Sequence, residues 1–266
     1  MKAHDFEFDS RRLSDFGFVI ANFGDKGLET IDGVEIKFNT IPSLSGSKHH
    51  LISTVYESCL ETTIQIARYS CDTDIEDITP SLFREITKWL GKKSFRKFKI
   101  LDEEYIDLYY MASISSVNRI EIDGRLIGLE LNIITDSPHA FHEPRTIIIK
   151  NVEENGKHSI NDTSYEEGYI YPHMEITINQ SGDFKIHNAI EDRDTYIGNC
   201  EFGEVITLDY PIIQSSLSSP ERDLQNNFNW NFFRIANTYE NSRNDLTISL
   251  PCTIKIEYSP IVKVGL

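Results

Sequence analysis

The sequence predicts a mainly β protein of two domains, an N-terminal α+β domain with one amphipathic helix and a C-terminal antiparallel β-sandwich. Three observations predict it: short runs that alternate β-branched or aromatic residues with polar ones, turn signals between those runs, and a single segment of helical periodicity. The 266 residues are enough for two ordinary domains. Apolar residues make up only 39%, but 15 Phe and 12 Tyr supply large side chains for the cores.

The clearest strands are predicted in the C-terminal half. Four runs alternate strictly, so each predicts one buried and one solvent-facing side: 175–179, 205–209, 246–250 and 253–257. Residues 179–183, Asn-Gln-Ser-Gly-Asp, predict a hairpin turn that joins strand 174–178 to strand 184–187.

Two hairpins are predicted in the N-terminal half by Asp-Gly pairs inside alternating runs. Asp123-Gly124 separates residues 118–122 from residues 125–134, and Asp32-Gly33 lies within residues 30–36. Asp-Gly favours a tight turn whose two central residues both have positive φ, which matches the twist of paired strands.

Residues 80–90 are predicted to form a helix. Thr79 suits the N-cap and Pro80 suits the first helical position, while Gly91 ends the segment. The apolar residues recur every four positions and form one stripe: Leu82, Ile86 and Leu90. The pattern around 102–110 also allows a second helix, on a weaker periodicity.

A domain boundary is predicted in residues 136–144, which hold two prolines and show no periodicity. The chain mixes strands with a helix before this segment and consists almost entirely of strand patterns after it. The predicted domains are therefore residues 1–138 and residues 139–266.

Charge excludes two classes of partner. With 26 basic and 42 acidic residues the net charge is −16, so the chain repels phosphate backbones and anionic membranes. We therefore expect neither direct nucleic-acid binding nor a membrane partner. Residues 1–5 contain no apolar signal segment, and no run approaches the roughly 18 apolar residues that span a bilayer, so we expect a soluble protein made in a cytoplasm.

The cysteines and histidines do not predict a metal site. Cys59, Cys71, Cys200 and Cys252 form no C-x-x-C pair and have no His at ligand spacing, so we expect small buried apolar residues in a reducing cytoplasm. His49-His50 lies in a Ser- and Gly-rich stretch, residues 43–53, which predicts a flexible exposed pair without a third ligand.

The acidic segments do not predict calcium binding or catalysis. Asp72 to Asp77 begins like a calcium loop but has Asp77 where the loop needs Gly and Phe83 where it needs an acid. A further acidic group suggests paired catalytic carboxylates, but adjacent acids on a polar segment favour a solvated face: Asp102, Glu103, Glu104 and Asp107. With no nucleophile elbow, phosphate loop or dinucleotide motif either, we predict no enzyme, no catalytic, cofactor-binding or metal-binding residue, and no cofactor.

Trp230 and His187 in the C-terminal half are considered separately, and Trp230 has two interpretations. Trp230 lies in Phe-Asn-Trp-Asn-Phe-Phe, residues 228–233, where its face could stack on a sugar ring. Phe228, Trp230 and Phe232 also alternate like a core strand, and we favour the core interpretation. His187 lies in a strand pattern, which favours a partly buried, hydrogen-bonded side chain.

Motifs along nearly the whole chain resemble those of siphophage distal tail proteins. In the N-terminal half these are Phe6-x-Phe8-Asp9-Ser10, the Phe16 to Ile20 segment, Ile86-x2-Trp89-Leu90, Phe98, the Leu101 to Tyr105 segment, Ile120 to Gly124, Gly128-x-Glu130 and Asp136-Ser137-Pro138. In the C-terminal half they are Ile186-His187-Asn188, Gly203-Glu204, Asp209, Phe228-Asn229-Trp230 and Pro260-x5-Leu266.

The resemblance implies a structural component of the distal tail, or baseplate hub, of a bacteriophage with a long non-contractile tail. Residues 1–138 would be the ring-forming hub domain and residues 139–266 a galectin-like β-sandwich. The protein would form a hexameric ring, single or stacked, in the bacterial cytoplasm. At the tail tip of the virion, the ring would join the tail tube protein to a tail-associated lysin, fibre or receptor-binding protein.

A ring subunit needs a heterologous interface, in which one surface contacts a different surface of the next copy and the rotation closes, and exposed strand edges are a common means. The runs at 4–8, 17–22 and 126–134 are the edge strands that we predict for this role. The net charge also suggests an acidic ring lumen through which DNA passes without binding.

The alternative is a carbohydrate-binding module that mediates adsorption to the host surface. A galectin-type sugar site has His-x-Asn-x-Arg on one strand and Trp-x-x-Glu-x-Arg on another. Here His187-Asn188 is followed by no Arg before Arg193, and Trp230 is followed by Asn-Phe-Phe-Arg, so both motifs are broken. A glycosidase on a sandwich scaffold is the third class considered, and it lacks paired acids in a credible site.

Overall fold

A computed structural model describes residues 4–21, 36–44, 46–68, 77–103, 105–218, 222–238 and 240–263. The chain divides into two compact units, unit 1 with residues 1–141 and 263–266, and unit 2 with residues 142–262. Antiparallel sheets dominate the described part of both units, so the mainly β prediction is confirmed. No helix in the described ranges is long and apolar enough to cross a membrane.

The described part of unit 1 consists of strands, one 3-10 helix at Leu13–Phe16 and one α-helix. Its elements are β1 (Phe6–Phe8), β2 (Arg11–Arg12), β3 (Phe18–Ile20), β4 (Ile36–Pro42), β5 (His49–Tyr56), β6 (Glu61–Arg68), α1 (Pro80–Leu90), β7 (Arg96–Ile100), β8 (Leu108–Ile122) and β9 (Arg125–Thr135). β10 (Ala140–His142) spans the boundary between the units. Seven strands follow one another in the main sheet, in the order β2-β1-β7-β8-β9-β6-β3.

The predicted helix and the central hairpin of unit 1 are confirmed. The Thr79 hydroxyl accepts a hydrogen bond from the Leu82 amide, and Ile86, Trp89 and Leu90 are buried. β8 and β9 pair along their length and turn through Asp123 and Gly124, whose φ values are 51° and 75°. The local signals alone therefore located both elements.

Three predictions for unit 1 are not confirmed. The second helix at 102–110 is wrong, because residues 101–107 form turns and β8 begins at Leu108. The Ser- and Gly-rich loop at 43–53 is also wrong in part, since His49 and His50 open β5. The Asp32-Gly33 hairpin and the acidic segment from Asp72 to Glu76 lie outside the described residues.

Unit 2 is built almost entirely of strands. Its elements are β11 (Arg145–Asn151), β12 (Gly156–Asn161), β13 (Gly168–Ile170), β14 (His173–Ile178), β15 (Gly182–Asn188), β16 (Arg193–Cys200), β17 (Val205–Asp209), β18 (Ile212–Ser215), α2 (Leu224–Asn227), β19 (Ile235–Asn237), β20 (Arg243–Ile248), β21 (Cys252–Tyr258) and β22 (Ile261–Val262). The two larger sheets have the orders β11-β21-β14-β17-β18 and β12-β20-β15-β16, and β13 pairs with β19 in a separate two-stranded sheet.

The five-stranded and four-stranded sheets of unit 2 form a sandwich around a shared core. Inward residues alternate along each strand, and the core cluster takes members from both sheets, among them Ile176, Ile254, Phe184 and Ile248. All pairings within these sheets are antiparallel. The predicted antiparallel sandwich is therefore confirmed.

One connection in unit 2 differs from its prediction. Residues 179–181 do link β14 to β15, but these strands do not pair with each other. β14 pairs with β17 and β21, whereas β15 pairs with β16 and β20. The segment therefore carries the chain from one sheet to the other, and the hairpin prediction for 179–183 is wrong. The strand predicted at 246–250 is also shorter at its end than predicted, because β20 ends at Ile248.

Candidate assembly and binding surfaces

The β4–β5 hairpin of unit 1 is the most exposed sheet structure among the described residues. It forms a two-stranded sheet of its own, and every residue of the two strands except Tyr56 is exposed. The Tyr56 ring makes an edge contact with His139, with the ring centroids 4.8 Å apart. The base of the hairpin is thus in contact with the rest of unit 1, and its length is left to solvent.

The two faces of this hairpin differ in chemistry. Ile36 pairs with Tyr56 and Phe38 with Thr54, which places four side chains on one face, and Ile52 continues that face. The opposite face is mixed: Lys37 pairs there with Val55, which is 45% exposed, and the Asn39 amide donates a 3.0 Å hydrogen bond to the Ser53 hydroxyl. We call the first side the apolar face of the hairpin. Phe38 and Ile52 on it are 62% and 61% exposed.

The sequence did not identify this hairpin as an assembly element, and two of its three predicted edge strands are internal. β9, which contains 126–134, lies between β8 and β6, and β1, within 4–8, lies between β2 and β7. Only β3, within 17–22, ends the sheet order. Alternation in a sequence marks a strand, but its neighbours are set by long-range pairing. The exposed apolar residues of 36–56 were the signal that could have found the hairpin.

Trp230 in unit 2 lies on the surface, so the core prediction for it is wrong. Phe228 and Phe232 are buried as predicted, but Trp230 between them is 53% exposed and has φ of 59°. This left-handed backbone conformation reverses the alternation that an extended strand would impose. Phe228 makes only an isolated bridge to Ile197, so the segment is a loop and not a regular strand.

Trp230 ends a chain of six aromatic rings, which we call the aromatic ridge. In spatial order the rings are Tyr169, Tyr171, Tyr210, Phe232, Phe228 and Trp230, and neighbouring centroids are 4.1 to 5.6 Å apart. Tyr169, Tyr210 and Trp230 are each more than half exposed, whereas Phe228 and Phe232 are buried. The ridge therefore presents separate aromatic faces on a shared buried base.

An ion pair borders the Tyr169 end of the ridge. Arg234 Nη2 lies 2.6 Å from Glu191 Oε1, and its guanidinium carbon lies 3.9 Å from the centre of the Tyr169 ring. The hydrogen bonds that Arg234 donates to Glu191 raise the pKa of Arg234, because they favour its charged form. Arg234 is thereby fixed against the Tyr169 face.

The other sequence candidates do not come together in a site. His187 is partly buried and shares a 2.8 Å hydrogen bond with Asp194, as predicted. Glu103 and Asp107 lie exposed in the turn before β8, and Glu104 lies outside the described residues. Among the described side chains no three His, Cys, Asp or Glu groups are arranged to hold a metal ion.

The described cysteines differ in burial. Cys200 and Cys252 are buried, as predicted, but Cys59 is exposed and Cys71 lies outside the described residues. Burial raises the pKa of Cys200 to about 11 and that of Cys252 to about 12. Both thiols therefore remain protonated at neutral pH.

A buried ion pair in unit 2 escaped the sequence analysis altogether. Arg222 Nε lies 2.6 Å from Glu204 Oε1, and neither side chain is more than 3% exposed. Arg222 also donates to the Gly198 carbonyl, and Glu204 accepts from the Ser215 hydroxyl. The two residues are 18 positions apart in the sequence, so no local pattern predicts the pair. The pair holds the segment before α2 against the sandwich.

A small cleft in unit 2 has a volume of about 40 Å³ and is lined by Asp162, Glu166, Glu167, Tyr169 and Asn237. Pockets that enclose small-molecule ligands have volumes of roughly 300 to 1,000 Å³. The cleft holds a water molecule or two and is too small to enclose a substrate. The surfaces with functional potential are therefore the exposed hairpin and the aromatic ridge.

Comparison with known proteins identifies the family. A search of curated protein sequences finds no match. Among solved structures the fold is similar to that of the Dit (gp 19.1) protein of phage SPP1, described as a paradigm of hub adsorption apparatus in Gram-positive infecting phages. The two are 10% identical with a TM-score of 0.69, and the match covers 97% of this chain and 99% of that one.

Two family models match the chain directly. One describes a phage tail protein N-terminal domain and matches residues 1–137, and the other describes a phage tail C-terminal domain and matches residues 139–258. The resemblance to tail proteins is thus confirmed over nearly the whole sequence, and neither family is one of enzymes. The chain belongs to the phage tail proteins, structural components of the virion tail.

Proposed function

We propose that this protein is a subunit of the distal tail hub of a bacteriophage with a long non-contractile tail. Residues 1–138 build a hexameric ring, single or stacked, and residues 139–266 form a galectin-like sandwich that projects from it. The ring joins the tail tube to a tail-associated lysin, fibre or receptor-binding protein. The protein is assembled in the host cytoplasm and carries out no catalysis, and its fold likeness to the SPP1 hub protein supports this role.

The exposed β4–β5 hairpin is the observation that supports self-assembly. A two-stranded hairpin alone is marginally stable in water, because it cannot bury its side chains on either face. Here the apolar face carries Ile36, Phe38 and Ile52, which are at least 44% exposed in the single chain. Covering such side chains stabilises by about 25 cal/mol for each Å² of apolar surface removed from water.

The proposed cover is a second copy of the same chain. A hairpin that docks on a different surface of its neighbour makes a heterologous contact, and such contacts close into a ring when the rotation between copies allows it. The hairpin thus takes the role that the sequence analysis gave to strand edges. With a net charge of −16, an acidic lumen would let DNA pass without binding, and a basic lumen in the assembled ring would contradict that part of the proposal.

Solution mass of the full-length chain tests the ring. Light scattering should give six times the subunit mass of 30.6 kDa, or a multiple of that value for stacked rings. The double variant Phe38→Asp, Ile52→Asp places two charges on the apolar face, and we expect it to be monomeric. A circular dichroism spectrum like that of the wild type would show that the fold is intact, whereas the melting temperature should fall because the ring no longer stabilises the subunit.

The opposite face of the hairpin supplies the matched control. Asn39→Asp with Ser53→Asp adds the same charge to the same strands, and this variant should retain the ring. A monomeric wild type at high concentration would contradict self-assembly. Equal loss of the ring in both double variants would contradict the role of the apolar face.

A further inference from the structure

Trp230 is exposed at a cost in backbone strain. A bulky residue with φ of 59° is an outlier in protein structures, and such conformations persist where the surrounding contacts fix them. An extended backbone would instead have placed Trp230 on the same side as the buried Phe228 and Phe232. The loop therefore holds an indole face in solvent where the sequence pattern favours burial.

The loop around Trp230 is held rigidly by side-chain hydrogen bonds. Asn229 Oδ1 accepts from the backbone amides of Tyr196 and Asn231, and Asn229 Nδ2 donates to the Asp194 backbone carbonyl. Trp230 Nε1 donates to the Gln225 carbonyl at 3.3 Å. An exposed ring that is already fixed loses little conformational freedom on binding, which favours a function in recognition.

The exposed rings of the aromatic ridge are mixed with neutral polar groups. Asn231 and Gln225 are exposed next to Trp230. Amide side chains both donate and accept hydrogen bonds, as sugar hydroxyls do. A protein partner would instead require a continuous patch of about 800 Å², whereas here single rings are separated by buried ones.

The charge near the ridge selects among saccharides. Asp192 and Asp223 are exposed acids in the segments that flank the ridge. The positive charge of Arg234, which borders the ridge, is already paired with Glu191. Together with the net charge of −16, these carboxylates repel a polyanion such as a phosphate-rich wall polymer. A neutral polymer of hydroxylated sugar rings meets no such repulsion.

We infer that the aromatic ridge is a binding site for a neutral polysaccharide, with sugar rings stacked on Trp230 and on the exposed sides of Tyr210 and Tyr169, whose other sides are covered by Tyr171 and Arg234. One or two intervening rings separate the exposed faces, so an occupant that contacts all three extends over several sugar units. This site is unrelated to the His-x-Asn-x-Arg arrangement of galectins. It adds adsorption to a glycan to the proposed hub role and does not depend on it.

Two measurements on the full-length chain test the site. An array of neutral and acidic bacterial oligosaccharides would identify a ligand, and native gels containing dextran, galactomannan or a soluble β-glucan would measure retardation by polymers. We expect neutral glycans to bind, and wall teichoic acid, a polyanion, not to bind. Binding should also reduce acrylamide quenching of tryptophan fluorescence, because Trp230 is exposed and Trp89 is buried.

Matched variants distinguish the ridge from other exposed aromatic residues. Trp230→Asn keeps a residue that tolerates positive φ, and Tyr210→Ser removes the neighbouring exposed ring. Each should weaken binding at least tenfold with an unchanged melting temperature. Phe202→Ser removes an even more exposed aromatic ring of unit 2 that has no part in the ridge, and it should bind as the wild type does.

Three outcomes would overturn the inference. They are binding of none of the neutral glycans, preferential binding of teichoic acid, and equal loss of binding in Trp230→Asn and Phe202→Ser. The Phe38→Asp, Ile52→Asp double variant separates this test from that of the ring. As a monomer it should still bind each glycan through a single ridge, so failure of one proposal leaves the other measurable.

Discussion

Trp89 is the side chain around which the aromatic core of unit 1 is arranged. Its ring lies 4.5 to 6.2 Å, between centroids, from those of Phe6, Phe8 and Phe16. Its Nε1 donates a 2.9 Å hydrogen bond to the Phe8 carbonyl. Trp89 therefore joins α1 to β1 by packing and by a polar contact that a smaller side chain cannot reproduce.

Replacing Trp89 with Ala should destabilise unit 1 by about 3 kcal/mol, because the substitution leaves a cavity and removes a buried donor. Chemical denaturation followed by circular dichroism would measure the change. Phe95→Ala, at a partly exposed aromatic position of the same unit, should have a much smaller effect. Equal stability of Trp89→Ala and the wild type would show that α1 packs elsewhere.

The buried thiols give a second test at the residue scale. Since the thiolate is the reactive form, and burial raises the pKa of Cys200 and Cys252, native protein should be alkylated by iodoacetamide at Cys59 and not at these two positions. In denaturant all three should react. Peptide mass spectrometry reads each site separately, and rapid native labelling of Cys252 would contradict the buried position of β21.

At the scale of elements, the β8–β9 hairpin and helix α1 are specified by local chemistry. Both turn residues between β8 and β9 have positive φ, as a tight primed turn requires. Helix α1 starts at a Thr N-cap followed by Pro, and the Gly91 amide donates to the Thr87 carbonyl at its end. A Cβ at Gly91 would lie 2.8 Å from that carbonyl oxygen, so Gly is needed for close approach there.

Gly124→Ala should destabilise the protein by roughly 1 to 2 kcal/mol, because an L side chain at φ of 75° is strained even though space is open around it. The melting temperature would report the loss. Asp123→Asn in the same turn is the control and should be nearly neutral, since Asn also tolerates positive φ. A stabilising effect of Gly124→Ala would exclude this turn geometry.

At the scale of the whole molecule, the chain divides into two compact units. The sandwich core of unit 2 draws only on residues between Ile149 and Tyr258, and the main sheet of unit 1 has the order β2-β1-β7-β8-β9-β6-β3. The proposed division of labour, a ring built by the first domain and a projecting second domain, is compatible with such separate cores.

The fragment 142–262 should fold by itself, because its core cluster is complete within that range. We expect a cooperative thermal transition and a β-type circular dichroism spectrum. As a comparison, the fragment 142–248 lacks β21, which lies between β11 and β14 in its sheet, and should not fold. A disordered 142–262 fragment would contradict an independent second domain.

Sequence patterns predicted much of the fold and little of the surfaces on which function depends. Helix 80–90, the Asp123-Gly124 turn and the strand alternation of β14, β17 and β21 follow from backbone sterics and side-chain periodicity over a few residues. Family motifs in the sequence also led to the phage tail proteins. The exclusion of a galectin motif was equally local, since it rests on the residues after His187 and Trp230.

Only the tertiary structure decided which strands are neighbours and which aromatic residues reach solvent. Placing β14 and β15 in different sheets and β9 inside its sheet depends on pairings between distant segments. The exposure of Trp230 depends on one left-handed backbone angle, and that of Phe38 on a hairpin whose strand residues are all exposed except Tyr56. The sequence by itself determined the elements and the family, because these are encoded locally, while the candidate surfaces arise from the arrangement of those elements in space.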